Sequence, residues 1–432
     1  MARMSELDLI VHGASAVVTP LGQEARGGSR FGEVEQLAGV AVACDAGRIV
    51  GIGPEAELRA DTLFRDELDA RGGLVVPGFV DAHTHPVFLG TREDEFEMRN
   101  AGRSYLEISR CGGGILASMR GVRESSSETL LRALLQRLDR FLELGTTTIE
   151  AKTGYGLTPE DELKCLRVIE AAGELHSVEL VPTFLGAHDF PPEYKDRPQA
   201  YVDLLVDKML PMVAESGLAE YCDIFTEGHV FDLDSSRRIL GRAADLGLGL
   251  RLHVDQLTPL GGAQLAAEVG AQSADHLEHV SEAGIDALAA AQVIPVLCPL
   301  VPLYLGESQE APGRRMVSAG LAPAIATDFN PGSCYTQSLP EVLSWAALRF
   351  GFTAAESLCA ATLNAACSLN RGARLGTVEV GKQADLAILD LPNLTHLTYE
   401  IGRNPVRAVV KHGRTVFQKR NGLLDSEGSM RP

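Results

Sequence analysis

The sequence predicts an α/β chain, a (β/α)8 TIM barrel that carries a small β-sandwich domain built from both chain termini. Three observations predict it. From about Pro77 to Leu369, eight short apolar or β-branched runs alternate with helical stretches, and crossovers of that length suit parallel strands. The two ends instead read as short strands punctuated by glycine turns, and the first 75 residues hold no convincing amphipathic helix. The composition, 45% hydrophobic and 22% charged over 432 residues, is that of an ordinary folded protein with room for one large and one smaller domain. On pattern alone, a doubly wound open sheet of eight strands is the alternative.

Residues 1–76 are expected to form the first part of the small β domain, 77–372 the barrel, and 373–432 the second part. The first part holds DLIVHGASAVVT, GVAVACDAGRIVGIGP and ELDARGGLVV; the last holds GTVEVGKQADLAILDLP and PVRAVVKHGRTVFQ, where apolar and polar residues alternate. The eight barrel runs are LVVPGFVDAHTH, TTTIEAK, ELVPTFLGAH, YCDIF, LGLRLHV, SADHLEH, QVIPVLCP and PAIATDF. A helix from about Ser127 to Leu144 sets Leu130, Leu131, Leu134, Leu135, Leu138, Phe141 and Leu142 on one face, with Gly145 as its stop. Another starts at Thr158, which can cap, followed by Pro159, Glu160 and Asp161; it is expected to end near Gly173.

Charge and cysteine usage narrow the partners. There are 58 acidic residues against 39 basic ones, a net charge of −19 without a charged tail. Such a surface repels phosphate backbones and anionic lipid heads, so no nucleic acid and no membrane partner is expected. An anionic substrate would need a local arginine. The eight cysteines are scattered with no CxxC pair, and MARMSELDLIVHGAS has a charge where an export signal needs its apolar core. A reducing cytoplasm is therefore expected.

In a barrel the carboxyl ends of all strands open onto one mouth. Seven of the eight runs end in or near a polar or ionisable residue: His83 and His85, Lys152, His188, Glu227, His253, His276 and His279, and Asp328. His83 and His85, two apart on a strand, leave the same face. With His253 and Asp328 they make a set suited to zinc, or to iron, with a position left for water.

The segments VPGFVDAHTHP, RLHVDQ, ADHLEH and ATDFNPG resemble the amidohydrolase superfamily. With GTTTIEAKTGYGL, PTFLGAHDFP, ATDFNPGSC and the long stretch from His83 to Ile115, the similarity is to its imidazolonepropionase family, over about Gly78 to Ser333. That resemblance implies a hydrolase that opens the cyclic amide of 4-imidazolone-5-propanoate with water, giving N-formimidoyl-L-glutamate in histidine breakdown. It implies His83, His85, His253 and Asp328 as ligands of a zinc or iron ion, and Arg92, Tyr155, His188, Asn330, Gly332 and Ser333 as contacts of substrate or product. His276 matches a histidine kept near the reacting water, and Gln256 stands where some members carry glutamate, so a positioning role is expected of it. Run four, YCDIF, lacks the lysine that bridges two metals in binuclear members, so one ion per subunit is expected. A homodimer is the family's habit.

Several residues also admit plainer roles. Lys152 reads as a structural ion pair or a bond to the neighbouring loop, and Glu227 and His229 stand evenly between supporting the site and ordinary loop. Without the resemblance, Arg92 beside Glu93, Asp94 and Glu95 would read as a solvated ion pair. Tyr155 sits in the tight turn Thr153 to Gly156, and Gly112 to Gly114 reads as a lid hinge or a turn needing positive φ. In run seven Leu300 follows Pro299 where the family tends to have glycine, a departure expected to bear on selectivity.

Overall fold

The computed structural model describes residues 5–103, 107 and 113–419. Seven short strands come first: β1 (Ser5–His12), β2 (Ala16–Thr19), β3 (Glu35–Leu37), β4 (Ala41–Asp45), β5 (Arg48–Gly53), β6 (Thr62–Asp69) and β7 (Leu74–Pro77). The barrel strands follow: β8 (Phe79–Asp81), β9 (Thr146–Lys152), β10 (Glu179–Ala187), β11 (Tyr221–Thr226), β12 (Gly249–Val254), β13 (Ser273–His276), β14 (Ile294–Leu297) and β15 (Ala324–Ile325). The chain returns to the small sheets with β16 (Leu386–Leu389), β17 (Val406–Lys411) and β18 (Arg414–Gln418).

Strands β8 to β15 pair in sequence order as one parallel sheet. It closes at the mouth, where Asp328 N donates to His83 O at 3.1 Å and His85 N to Phe329 O at 2.9 Å. Buried Asp81 seals the same seam by accepting from Thr327 N at 3.1 Å and Thr327 Oγ1 at 2.6 Å. Closure settles the choice between a barrel and an open sheet.

The first predicted run divides. Leu74–Pro77 belongs to the small domain and Phe79–Asp81 to the barrel, because Gly78 passes against Thr147 too closely for a side chain. The helix Ser127–Glu143 is capped by Ser126 and buries Leu130, Leu134, Leu138, Phe141 and Leu142. The helix Pro159–Leu175 is capped by Thr158, as expected, but runs past Gly173, where a Cβ would meet open space and nothing forces an end.

The small domain is a sandwich of a four-stranded sheet, β5-β4-β1-β6, and a six-stranded one, β18-β17-β16-β7-β2-β3. Only the second draws strands from both ends of the chain. Its period-2 alternation serves two cores at once. Val17, Val75, Leu386, Ile388, Ala408 and Val410 face the sandwich interior, while Val18, Leu74, Val76, Ala387, Leu389 and Val409 join the barrel's core. The seven described cysteines are free thiols. No helix among the described residues is long and apolar enough to cross a membrane.

At the barrel floor an ionic cluster ties β10 to the returning chain. Glu179 accepts from Arg371 Nε at 3.3 Å and Arg374 Nη1 at 3.0 Å, and Lys411 Nζ lies 3.7 Å away. Burial pushes the Glu179 carboxyl up, but the Arg374 hydrogen bond and the charges of Lys411, Arg374 and Arg371 overcome it and bring the pKa from 4.5 down to about 2. A depressed carboxylate adds stability that is fully present above its unfolded pKa and lost as pH falls through its folded one. Glu179→Gln should therefore cost roughly 2–3 kcal/mol at neutral pH. Urea unfolding across a pH series should show the wild-type advantage vanish as pH falls from 4.5 to about 2.

Candidate metal centre and active site

Strand ends bring the predicted ligands together. His83 and His85 follow β8, His253 lies within β12, and Asp328 follows β15. The Nε2 atoms of His83 and His253 each lie 3.3 Å from His85 Nε2. Asp328 Oδ1 is 3.4 Å from His83 Nε2 and 3.3 Å from His85 Nε2, and has no hydrogen-bond partner. The far nitrogens of two rings are already engaged: His83 Nδ1 with Asp275 Oδ2 at 2.6 Å, and His253 Nδ1 with Asp223 Oδ1 at 3.1 Å. Those carboxylates accept hydrogen bonds from Nδ1–H, which directs the Nε2 lone pairs of the neutral rings toward the site. Ring nitrogens and a carboxylate oxygen thus face one another in a buried space, an arrangement that a bound cation would satisfy. Bonds of about 2.0–2.1 Å in a tetrahedral shell have edges of about 3.3–3.4 Å, and the four donor–donor distances above match that spacing. Burial holds His85 and His253 below the usual histidine pKa. At His83 burial is outweighed by the hydrogen bonds to Asp275 and Asp328, which raise the pKa to about 9, so binding of a metal there would displace a proton.

Beneath this shell lie five fully buried charges. Lys152 Nζ donates to Glu150 Oε1 and Asp223 Oδ2, both at 2.6 Å, and Arg251 lies 3.3 Å from Asp275 and 3.1 Å from Glu150. Burial would discharge Lys152, but Asp223 and Glu150 outweigh it and raise its pKa above 10.5. Lys152 is therefore a structural ion pair, made to strands rather than to a neighbouring loop.

Above the shell opens a cavity of about 650 Å³. Of the ligand, substrate-contact and catalytic residues that the resemblance implies, all but His83 line it. Asn330 builds the turn that carries Asp328. Its Oδ1 accepts from Gly332 N and Ser333 N, and its Nδ2 donates to Asp328 O, each at 2.7 Å; Ser333 Oγ donates to Asp328 Oδ2 at 3.2 Å. Asp328 has φ +49°, a left-handed conformation that such a turn must enforce. The Arg92 side chain is 8% exposed rather than solvated: Nε and Nη2 donate to Glu95 at 3.0 and 2.7 Å, and the guanidinium lies against Gly332. Tyr155 is fixed through its neighbours, since Glu162 accepts from Gly154 N, Gly156 N and Leu157 N at 2.8–3.1 Å. His188 Nδ1 donates to Gly154 O at 2.9 Å, and burial beside His85 lowers its pKa to about 3.

Glu227 supports the site. It accepts from the backbone of Gln256 and Leu257 at 2.8 Å and from Thr258 Oγ1 at 2.5 Å, while His229 lines the cavity. Leu300 does not line it; the run-seven segment reaches the mouth through Leu305, Gly306 and Glu307. Gly114 has φ +76° and donates to Glu95, which makes it a turn glycine; Gly112 lies outside the described residues. Sequence reading missed Arg99, which donates to Gly332 O at 2.9 Å, and the buried acids Asp223, Asp275, Glu95 and Glu162. For Asp223 a signal existed in the acid inside the apolar run YCDIF.

The sequence profile of the Amidohydrolase family matches residues 74–416. The chain is 46% identical over 420 residues to an imidazolonepropionase of Symbiobacterium thermophilum, covering 96% of this chain and 99% of that one. It is 48% identical over 377 residues to that of Solibacter usitatus, covering 86% and 90%. Among solved structures, Escherichia coli guanine deaminase is similar with a TM-score of 0.71 at 16% identity, covering 95% of this chain and 100% of that one. A zinc-bound adenosine deaminase from Xanthomonas campestris gives 0.69 at 22%, covering 95% and 93%, and these two likenesses speak for the fold. The chain belongs to the amidohydrolase family and, within it, to the imidazolonepropionases.

Proposed function

We propose that the chain opens the cyclic amide ring of 4-imidazolone-5-propanoate with water to give N-formimidoyl-L-glutamate, in histidine catabolism. The observation that carries this is the trio of Nε2 atoms meeting Asp328 Oδ1 at the floor of the cavity, in a chain that matches imidazolonepropionases over nearly its whole length. One zinc or iron ion per subunit would be held by His83, His85, His253 and Asp328. Support for a single ion comes from β11, which offers Asp223 and no lysine, while Lys152 is locked between two acids. When bound, the ion supplies Lewis acidity, lowering the pKa of water from about 15.7 to about 7 and polarising a carbonyl.

The protein's own groups do the rest. Asp328 accepts a proton from the attacking water and passes it to the leaving ring nitrogen, and His276 steadies the oxyanion or shares that proton. Arg92, with Glu95 on one edge of its fork, offers the other to the propanoate. Tyr155 and His188 hold the ring, and Asn330, Gly332 and Ser333 shape the seam against which it lies. Gln256 positions and takes no proton. We further propose a homodimer in the cytoplasm with no nucleic-acid or membrane partner, and a division of the chain at residues 76 and 372.

A continuous ultraviolet assay of freshly generated imidazolone propanoate, beside metal analysis of the same sample, tests the reaction. The expected result is metal-dependent substrate loss with formimidoylglutamate as product; ammonia release, or no acceleration by fully metallated protein, overturns it. His253→Ala should lose the ion and lower turnover at least about 1,000-fold, and full activity in that metal-free variant sinks the scheme. A Cβ on Gly332 would intrude on the Arg92 guanidinium. Gly332→Ala should therefore raise KM at least about tenfold with metal content unchanged, as steady-state kinetics would report.

A further inference from the structure

One buried carboxylate beside the reacting centre has no part in the scheme above. Glu278, two residues beyond His276, is 4% exposed, and its Oε2 has no hydrogen-bond partner; His276 Nδ1 is equally buried and unpartnered. The two groups face each other, Nδ1 to Oε1 at 3.8 Å. Buried polar atoms left without a hydrogen-bond partner are costly and call for an explanation. The backbone between them is strained as well: His276 and Leu277 both take left-handed φ, +79° and +71°, which bulky residues rarely adopt. Neighbours hold this turn in place. Leu277 N donates to Val254 O at 3.2 Å, His279 N to Asp255 O at 2.7 Å, and Gln309 Nε2 to Glu278 O at 3.1 Å.

The cavity itself has few acids to spare. Among the described residues only Asp328 and Glu307 line it as carboxylates, and Gln256 cannot take a proton. Catalytic hydrogen bonds that are long in an empty site tighten when it fills. We propose that Glu278 is a positioning residue for the reaction, accepting a hydrogen bond from Nδ1–H of His276 and so turning the ring's Nε2 toward the substrate. This rests on His276 serving the reaction beside the attacking water, as proposed above.

Glu278→Gln keeps the size of the side chain and removes its charge. In metal-loaded protein it should lower kcat about 10- to 100-fold while KM, metal content and melting temperature stay at wild-type values. In a His276→Ala background the same substitution should have no further effect. An unchanged kcat, a loss of metal, a change confined to KM, or equal losses in both backgrounds overturns the proposal. If His276→Ala keeps full turnover, the role of His276 falls and this one with it; if it is slow while Glu278→Gln is silent, only the role of Glu278 falls. A second measurement needs no substitution at Glu278. In 15N-histidine spectra of the wild-type holoenzyme with product bound, assigned by the resonance missing from His276→Ala, His276 should carry its proton on Nδ1. An Nε2–H tautomer refutes the proposal.

Discussion

Closure of the barrel between β8 and β15 is the constraint on which the rest of the site depends. The ladder there is short, since β15 has only two residues. Side chains and the loops beyond the strands complete it, through Asp81 with Thr327 and through the backbones of His83, His85, Asp328 and Phe329. Three of the proposed ligands sit on that seam. The bonds that finish the cylinder therefore also set the spacing of the metal donors, and packing and chemistry cannot be varied separately.

Under the seam, burial of five charges would be ruinous if they were unpaired. Glu150, Asp223 and Asp275 are matched against Lys152 and Arg251, and two of the acids also orient ligand imidazoles. The low dielectric that makes such a layer costly also makes it rigid. Similar use of carboxylates recurs farther out, where Glu162, Glu227 and Asp255 each gather several backbone N–H groups and hold a loop of the mouth in one shape.

Periodicity made much of this legible. TTTIEAK is β9 residue for residue, and the cap at Thr158 and the stop at Gly145 came from chemistry local to a few positions. Ligands were readable because strand ends in a barrel converge whatever the sequence between them. What escaped depended on distant partners. The break of the first run at Gly78 is set by Thr147, and the burial of Arg92 by Glu95 and Gly332. Lys152 could be seen as an ion pair, and Glu150 lies two residues before it on β9, but Asp223 and Asp275 come from β11 and β13, and no spacing in the sequence relates them to it.

The six-stranded sheet has a consequence for how the protein is made. β7 lies between β2 and β16, so one of its edges finds its partner only after some 300 residues of barrel have intervened. During synthesis from the amino end that edge stays open, with Leu74, Val75 and Val76 exposed on an apolar strand of the kind that pairs with other chains. Ribosome transit time through the barrel is thus a window of aggregation risk. Arrival of Leu386–Leu389 closes it, which makes the last strands the latch of the whole fold.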